Sequence, residues 1–167
     1  PAVVPAVVPA RSAPAEPAAE KPQTERFSVT FPLGSTKLTP AASDLLRQLA
    51  PHLSTATTVR ITGFTDNLGP ATPNARIAEA RALAVLVRLR ELLPDAPFKG
   101  SALGQALCCY VAPNESDEGR ESNRRAEVEV LLEQPAGLRK ALARVPKAVR
   151  VADARPVAAT TPTTKEA

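Results

Sequence analysis

Apolar and polar positions alternate along three stretches of the chain: Phe27-Ser28-Val29-Thr30-Phe31, Thr58 to Phe64, and Ala126 to Glu133. In the last of these Ala126, Val128, Val130 and Leu132 interleave with Glu127, Glu129, Leu131 and Glu133. A period of two predicts strands, the last with one wet face. Between the strands the period changes. After Thr39-Pro40, an N-cap followed by proline at the first helical position, Ala42, Leu45, Leu46, Leu49 and Leu53 recur at helical spacing. That helix should run to about Ser54, with Pro51 as a kink or early end. Thr72-Pro73 repeats the start signal, and a second helix is expected to about Leu93, stopped by Pro94. Phe98 to Leu103 is a weaker strand candidate. Gln105 to Ser122 reads as polar and irregular, and residues 136–145 have the composition of a short basic helix. The order β-α-β-α-β with a last strand predicts an α+β fold, a small sheet with helices packed on one face.

One position breaks the pattern. Ile77, Arg81, Val85 and Leu89 form a single row along the second helix. Three are aliphatic, so the row should face the core, yet a guanidinium interrupts it. A buried arginine left unpaired is strongly destabilising, so an anion is expected to face Arg81. The candidates are a carboxylate of the protein, nearest in Asp66 of the loop Thr65-Asp66-Asn67-Leu68-Gly69, or part of a ligand.

Composition assigns the foldable part. The 18 prolines are uneven: residues 1–23 are built largely from Pro, Ala, Val and Glu and repeat themselves (PAVVPAVVPA). Residues 134–167 form a basic segment ending in a Pro- and Thr-rich run. Both ends read as linker or tail, which leaves a domain over residues 24–133. As polyproline II at ~3.1 Å per residue, the N-terminal segment would reach roughly 70 Å as a spacer. Twelve Lys/Arg meet thirteen Asp/Glu within the domain, whereas the C-terminal segment carries seven against two. The net charge of +4 therefore belongs to the tail. A near-neutral domain in a chain with 3% aromatic residues makes nucleic acid an unlikely partner. The basic tail residues, Arg139, Lys140, Arg144, Lys147 and Arg150, suit a solvated segment or contact with an anionic surface. No apolar run approaches the ~18 residues of a membrane span. No nucleophile–base set, metal-ligand cluster or phosphate loop stands out, so no enzyme, cofactor or metal is expected. His52, the single histidine, reads as structural. Cys108-Cys109 reads as two thiols in a loop, with a vicinal bridge or a bond to another chain as alternatives.

Three blocks in order resemble the OmpA-like domain family, which includes OmpA C-terminal domains, peptidoglycan-associated lipoproteins and MotB-type proteins. The central block runs Gly63-Phe64-Thr65-Asp66, Gly69, Asn74, Ile77-Ala78, Arg81-Ala82, Val85 and Leu89, with the family's spacing. Phe31-Pro32-Leu33-Gly34-Ser35-Thr36-Lys37-Leu38-Thr39-Pro40 precedes it, and Asn123-Arg124-Arg125-Ala126-Glu127-Val128 follows. The resemblance implies a β-α-β-α-β(β) sandwich with a small mixed sheet. It also implies non-covalent peptidoglycan binding through stem-peptide diaminopimelate, with Asp66 and Arg81 as the recognising pair. An ionised Asp suits the ligand ammonium and an Arg fork suits its carboxylate. Asn74, Thr65, Gly34, Ser35, Ile77 and Arg124 would complete the surroundings. Asn74 is expected mainly to brace the Asp66 loop, and Arg124 to line the pocket or pair with an acidic neighbour. Pro32, Gly34, Phe64 and Ala78 depart from the family pattern, the first two within a loop that contributes ligand contacts in relatives. The implied role is anchoring an envelope component or assembly to the cell wall. The expected place is the periplasm of a Gram-negative bacterium, with a membrane tether preceding Pro1. Other envelope proteins are possible partners. The alternative is a structural domain of a secretion, conjugation or motility apparatus that keeps the fold without strong glycan binding.

Overall fold

The structure, a computed structural model, describes residues 23–146. Residues 1–22 of the spacer expected over 1–23, and Lys147 and Arg150 of the expected basic tail, lie outside the described residues, while Gln23 opens the first strand. Eight elements follow one another: β1 (Gln23–Thr30), α1 (Pro40–Leu53), β2 (Ala56–Phe64), α2 (Ala71–Leu92), β3 (Lys99–Gln105), α3 (Asp117–Asn123), β4 (Arg125–Leu132) and α4 (Ala136–Ala143). The sheet order is β1-β4-β2-β3. β4 lies antiparallel to both β1 and β2, while α2 carries the chain over to β3, parallel to β2. This is the mixed sheet of the expected α+β fold.

Register explains the core. Phe27, Val128 and Ile61 are direct partners across three strands and are fully buried, as are Val130 and Val59 in the row beside them. Leu46, Leu49 and Leu53 of α1 and Val85 and Leu89 of α2 close over this surface. The opposite face is polar: Glu129 lies between Arg26, at 2.7 Å, and Arg60, at 3.8 Å. The row toward the end of β2 is made of smaller side chains, Val29, Ala126 and Gly63, with Gly104 paired to Gly63. There α2 comes close. A Cβ on Gly63 would stand 1.9 Å from the Ala78 carbonyl oxygen, and one on Gly104 2.5 Å from the Glu79 nitrogen.

Several boundaries differ from the sequence pattern. Pro51 does not stop α1; it sits in the last turn, and the Ser54 hydroxyl donates to its carbonyl at 2.9 Å. Thr39 caps α1 as expected, its Oγ1 accepting from Ala42 N at 3.1 Å. Thr72 does not cap α2. The helix begins at Ala71 with Pro70 at the cap and no side-chain cap bond, so Thr72-Pro73 falls inside the first turn, where a proline removes no helical hydrogen bond. The polar stretch Gln105 to Ser122 contains α3, capped by Ser116 Oγ accepting from Gly119 N at 3.0 Å. Finally, α4 is not a solvated tail. Leu138 is fully buried and Leu142 nearly so, both in the main core, and Arg139 pairs with Glu25 and Gln23 of β1. The packed unit therefore extends beyond Glu133.

Candidate functional site

The C-terminal end of β2 delivers Thr65 and Asp66 directly into a junction of four segments. These are the turn after β1, the start of α2, the loop after β3 and the α3–β4 junction. Both side chains are buried, at 1% and 3% exposure. Asp66 Oδ1 accepts from Leu68 N at 3.1 Å, which fixes the loop as an Asx turn. Asp66 Oδ2 accepts from Arg124 Nη1 at 3.0 Å. Asn74 holds the far side of the same loop, donating from Nδ2 to the carbonyls of Leu68 at 2.8 Å and Pro70 at 3.0 Å. The loop glycine Gly69 takes φ 88.

Arg81 lies in the core row with 1% exposure, yet its partners are not an anion. Nη1 donates to Phe64 O at 2.8 Å, Nε to Ser35 O at 3.0 Å and Nη2 to Pro32 O at 3.4 Å, and the guanidinium carbon lies 5.4 Å from the Phe31 ring centre. Of the two candidate anions, the protein carboxylate is engaged elsewhere: Asp66 makes its ion pair with Arg124, and three backbone carbonyls receive Arg81. The physical reason is the turn after β1, which folds its carbonyls inward over α2. Burial, then the charge of Arg124, hold the Arg81 pKa down at about 10, with Asp66 opposing them. Arg124 also donates from Nε to Phe31 O at 3.2 Å, tying the same turn from the other side.

The remaining sequence-derived candidates divide. Ser35 is half-buried and contributes its carbonyl rather than its hydroxyl; its Oγ accepts from Lys37 N. Thr65 Oγ1 accepts from Leu107 N at 3.2 Å, so it fastens the loop after β3. Gly34 is exposed with φ 64, a conformation open to Gly and Asn. Ile77 is half-buried one turn before Arg81. Among the described residues no hydrogen bond joins Gly34 or Ile77 to Asp66 or Arg81.

Two neighbours were not singled out in the sequence. Tyr110 stands within electrostatic reach of Asp66: burial and then that carboxylate push its phenol above the ordinary value. Arg125 is 4% exposed and stacks on Phe64 at 4.0 Å. It donates to Glu127 Oε1 at 2.7 Å and to Cys109 O at 3.0 Å. Burial lowers its pKa, with Glu127 opposing. The only early signal for Tyr110 was its being the single tyrosine in an irregular segment. Among the described residues no group of three or more His, Cys, Asp or Glu gathers as a metal site, and no helix is long and apolar enough to cross a membrane.

The arrangement places two arginines and one aspartate around one loop, a surplus of one positive charge. Such a set suits a ligand that brings a carboxylate together with a group able to share Asp66. The OmpA family profile matches residues 30–93, which include the turn after β1, Asp66 and Arg81. Among solved structures, the cell wall anchor of the T6SS from Pseudomonas aeruginosa is 30% identical, with 67% of this chain and 88% of that chain covered and a TM-score of 0.53. This chain belongs to the OmpA family. The peptidoglycan-associated lipoprotein from Burkholderia pseudomallei is 28% identical to this OmpA-family chain, covering 64% of it and 88% of the lipoprotein at a TM-score of 0.54. A MotB-like protein from Desulfovibrio vulgaris is 25% identical over 65% and 76% of the two chains, with a TM-score of 0.52. A comparison with curated protein sequences finds no match.

Proposed function

We propose that this OmpA-family domain binds peptidoglycan non-covalently in the periplasm of a Gram-negative bacterium, anchoring an envelope component or assembly to the cell wall. The contact is the diaminopimelate of the stem peptide, whose side-chain end carries an ammonium and a carboxylate on one carbon. The observation that carries this reading is the Asp66–Arg124 pair at 3.0 Å beside a buried Arg81. Asp66, already held by Leu68 N, takes the ammonium, and Arg81 takes the carboxylate. Three of the five N–H groups of Arg81 are committed to carbonyls, which keeps it oriented with donors to spare. Arg124 is the more exposed partner of the ion pair, so the ligand ammonium displaces it, and Arg124 turns to the carboxylate. The relatives described as a cell wall anchor and a peptidoglycan-associated lipoprotein support the same role.

The closed state of the site favours one other reading. With Asp66 paired internally and Arg81 satisfied by carbonyls, the domain also suits structural duty in an envelope assembly without strong glycan binding. Co-sedimentation with purified sacculi separates the two. Wild type should pellet with sacculi containing diaminopimelate and far less with sacculi carrying lysine at that position, which lacks the second carboxylate. Asp66→Asn and Arg81→Met should stay in the supernatant while unfolding cooperatively. Wild type remaining in the supernatant, or both variants pelleting equally well, decides for the assembly reading.

A further inference from the structure

The loop after β3 holds adjacent cysteines at the edge of this site. Leu107 N reaches Thr65 Oγ1 at 3.2 Å, the Cys109 carbonyl accepts from Arg125 at 3.0 Å, and Tyr110, within electrostatic reach of Asp66, follows at once. Val111 N and Ala112 N both donate to the buried Asn123 Oδ1, at 2.8 and 3.1 Å. The cysteines thus lie between fixed points. Leu107 at φ 52 and Cys109 at φ 60 are the non-glycine residues with positive φ among those described, a conformation that L side chains resist. Adjacent α-carbons lie only ~3.8 Å apart, short of the usual ~4.4–6.8 Å span of a disulfide. A bond between neighbours therefore needs a backbone turned out of its ordinary regions, and Cys109 already has one. In the reduced form, in which the structure leaves both as free cysteines, Cys109 Sγ donates to Gln105 Oε1 at 3.6 Å.

We propose that Cys108 and Cys109 are a modification site: they close a vicinal disulfide that locks residues 106–111, and with them Tyr110 and the Leu107–Thr65 contact, as one wall of the Asp66 site. The two thiols lose two protons and two electrons to an external disulfide, which is reduced to two thiols by exchange through a mixed disulfide. The bond stands on the cysteine geometry alone; its effect on a ligand rests on the reading of Asp66 as the binding site.

The test begins with the full chain equilibrated against glutathione disulfide, denatured in alkylating agent, and mapped by peptide mass. The peptide holding both cysteines should be unlabelled until reductant is added and doubly labelled afterwards. Double labelling before reduction, or a glutathione adduct on either sulfur in place of the bond, overturns the proposal. Hydrogen exchange of the oxidised and reduced chains then tests the wall. Amides over residues 106–111 should exchange on the order of tenfold faster after reduction, with β4 unchanged. Equal exchange in the two states overturns the locking role, whether or not sacculi bind.

Discussion

A cation at a core position is tolerated where the backbone supplies its partners. Arg81 occupies the row that Ile77, Val85 and Leu89 define, but its guanidinium ends among carbonyls of Pro32, Ser35 and Phe64. The helical row was legible in the sequence; the identity of the partners was not, because carbonyl direction depends on how the turn after β1 folds. The pH dependence of stability follows. With its pKa lowered to about 10, well below the ordinary arginine value, Arg81 binds fewer protons folded than unfolded from about pH 10 upward. Stability therefore gains with rising pH across that window, and the burden of the buried charge is fully present at neutral pH. Relative to Arg81→Met, wild type should gain about 1 kcal/mol between about pH 8 and about pH 11. Urea unfolding of both proteins at the two values measures it, and a constant difference would show that Arg81 keeps its ordinary pKa. Asp66 teaches the same lesson. Its partner Arg124 lies 58 residues away in sequence, beyond the reach of spacing arguments.

At the scale of elements, apolar periodicity located β1, α1, β2, α2 and β4 to within a few residues. It failed where an element buries little. α3 has only Gly119 and Asn123 buried, so its seven residues carry no apolar row, and capping by Ser116 defines it instead. The helix α4 was visible as a composition but not as core. Its two leucines, Leu138 and Leu142, settle the matter through contact with α1 and β1. Leu138→Ala should therefore lower stability by roughly 2–4 kcal/mol, the range for a large buried side chain removed from a packed core. Chemical denaturation checks it; a loss below about 0.5 kcal/mol would mean that α4 is dispensable. The close approach of α2 to the sheet has a different origin. Gly63 and Gly104 are paired across β2 and β3, and both face the helix backbone. Only the register shows that the two glycines make one slot.

Across the whole molecule, the sheet order places β4, the last strand in sequence, between β1 and β2. Final closure of the sheet therefore waits on residues 125–132, and protection from exchange should follow the same order. Amides of Val128 and Val130 should exchange slowest. Those of the largely exposed edge strand β3 should exchange on the order of a hundredfold faster. Equal protection in β3 and β4, measured by native-state hydrogen exchange, would place the cooperative core elsewhere. What the sequence determined by itself is whatever is local or periodic: strand alternation, helical rows, the Thr39 cap, the near-neutral packed region and the anomalous charge at Arg81. Tertiary structure alone decided which charges meet. Asp66, Arg81, Arg124 and Tyr110 come from four segments that converge because the sheet order brings the end of β2 beside the start of β4. A side chain's partner depends on that convergence in space, and no period along the chain records it.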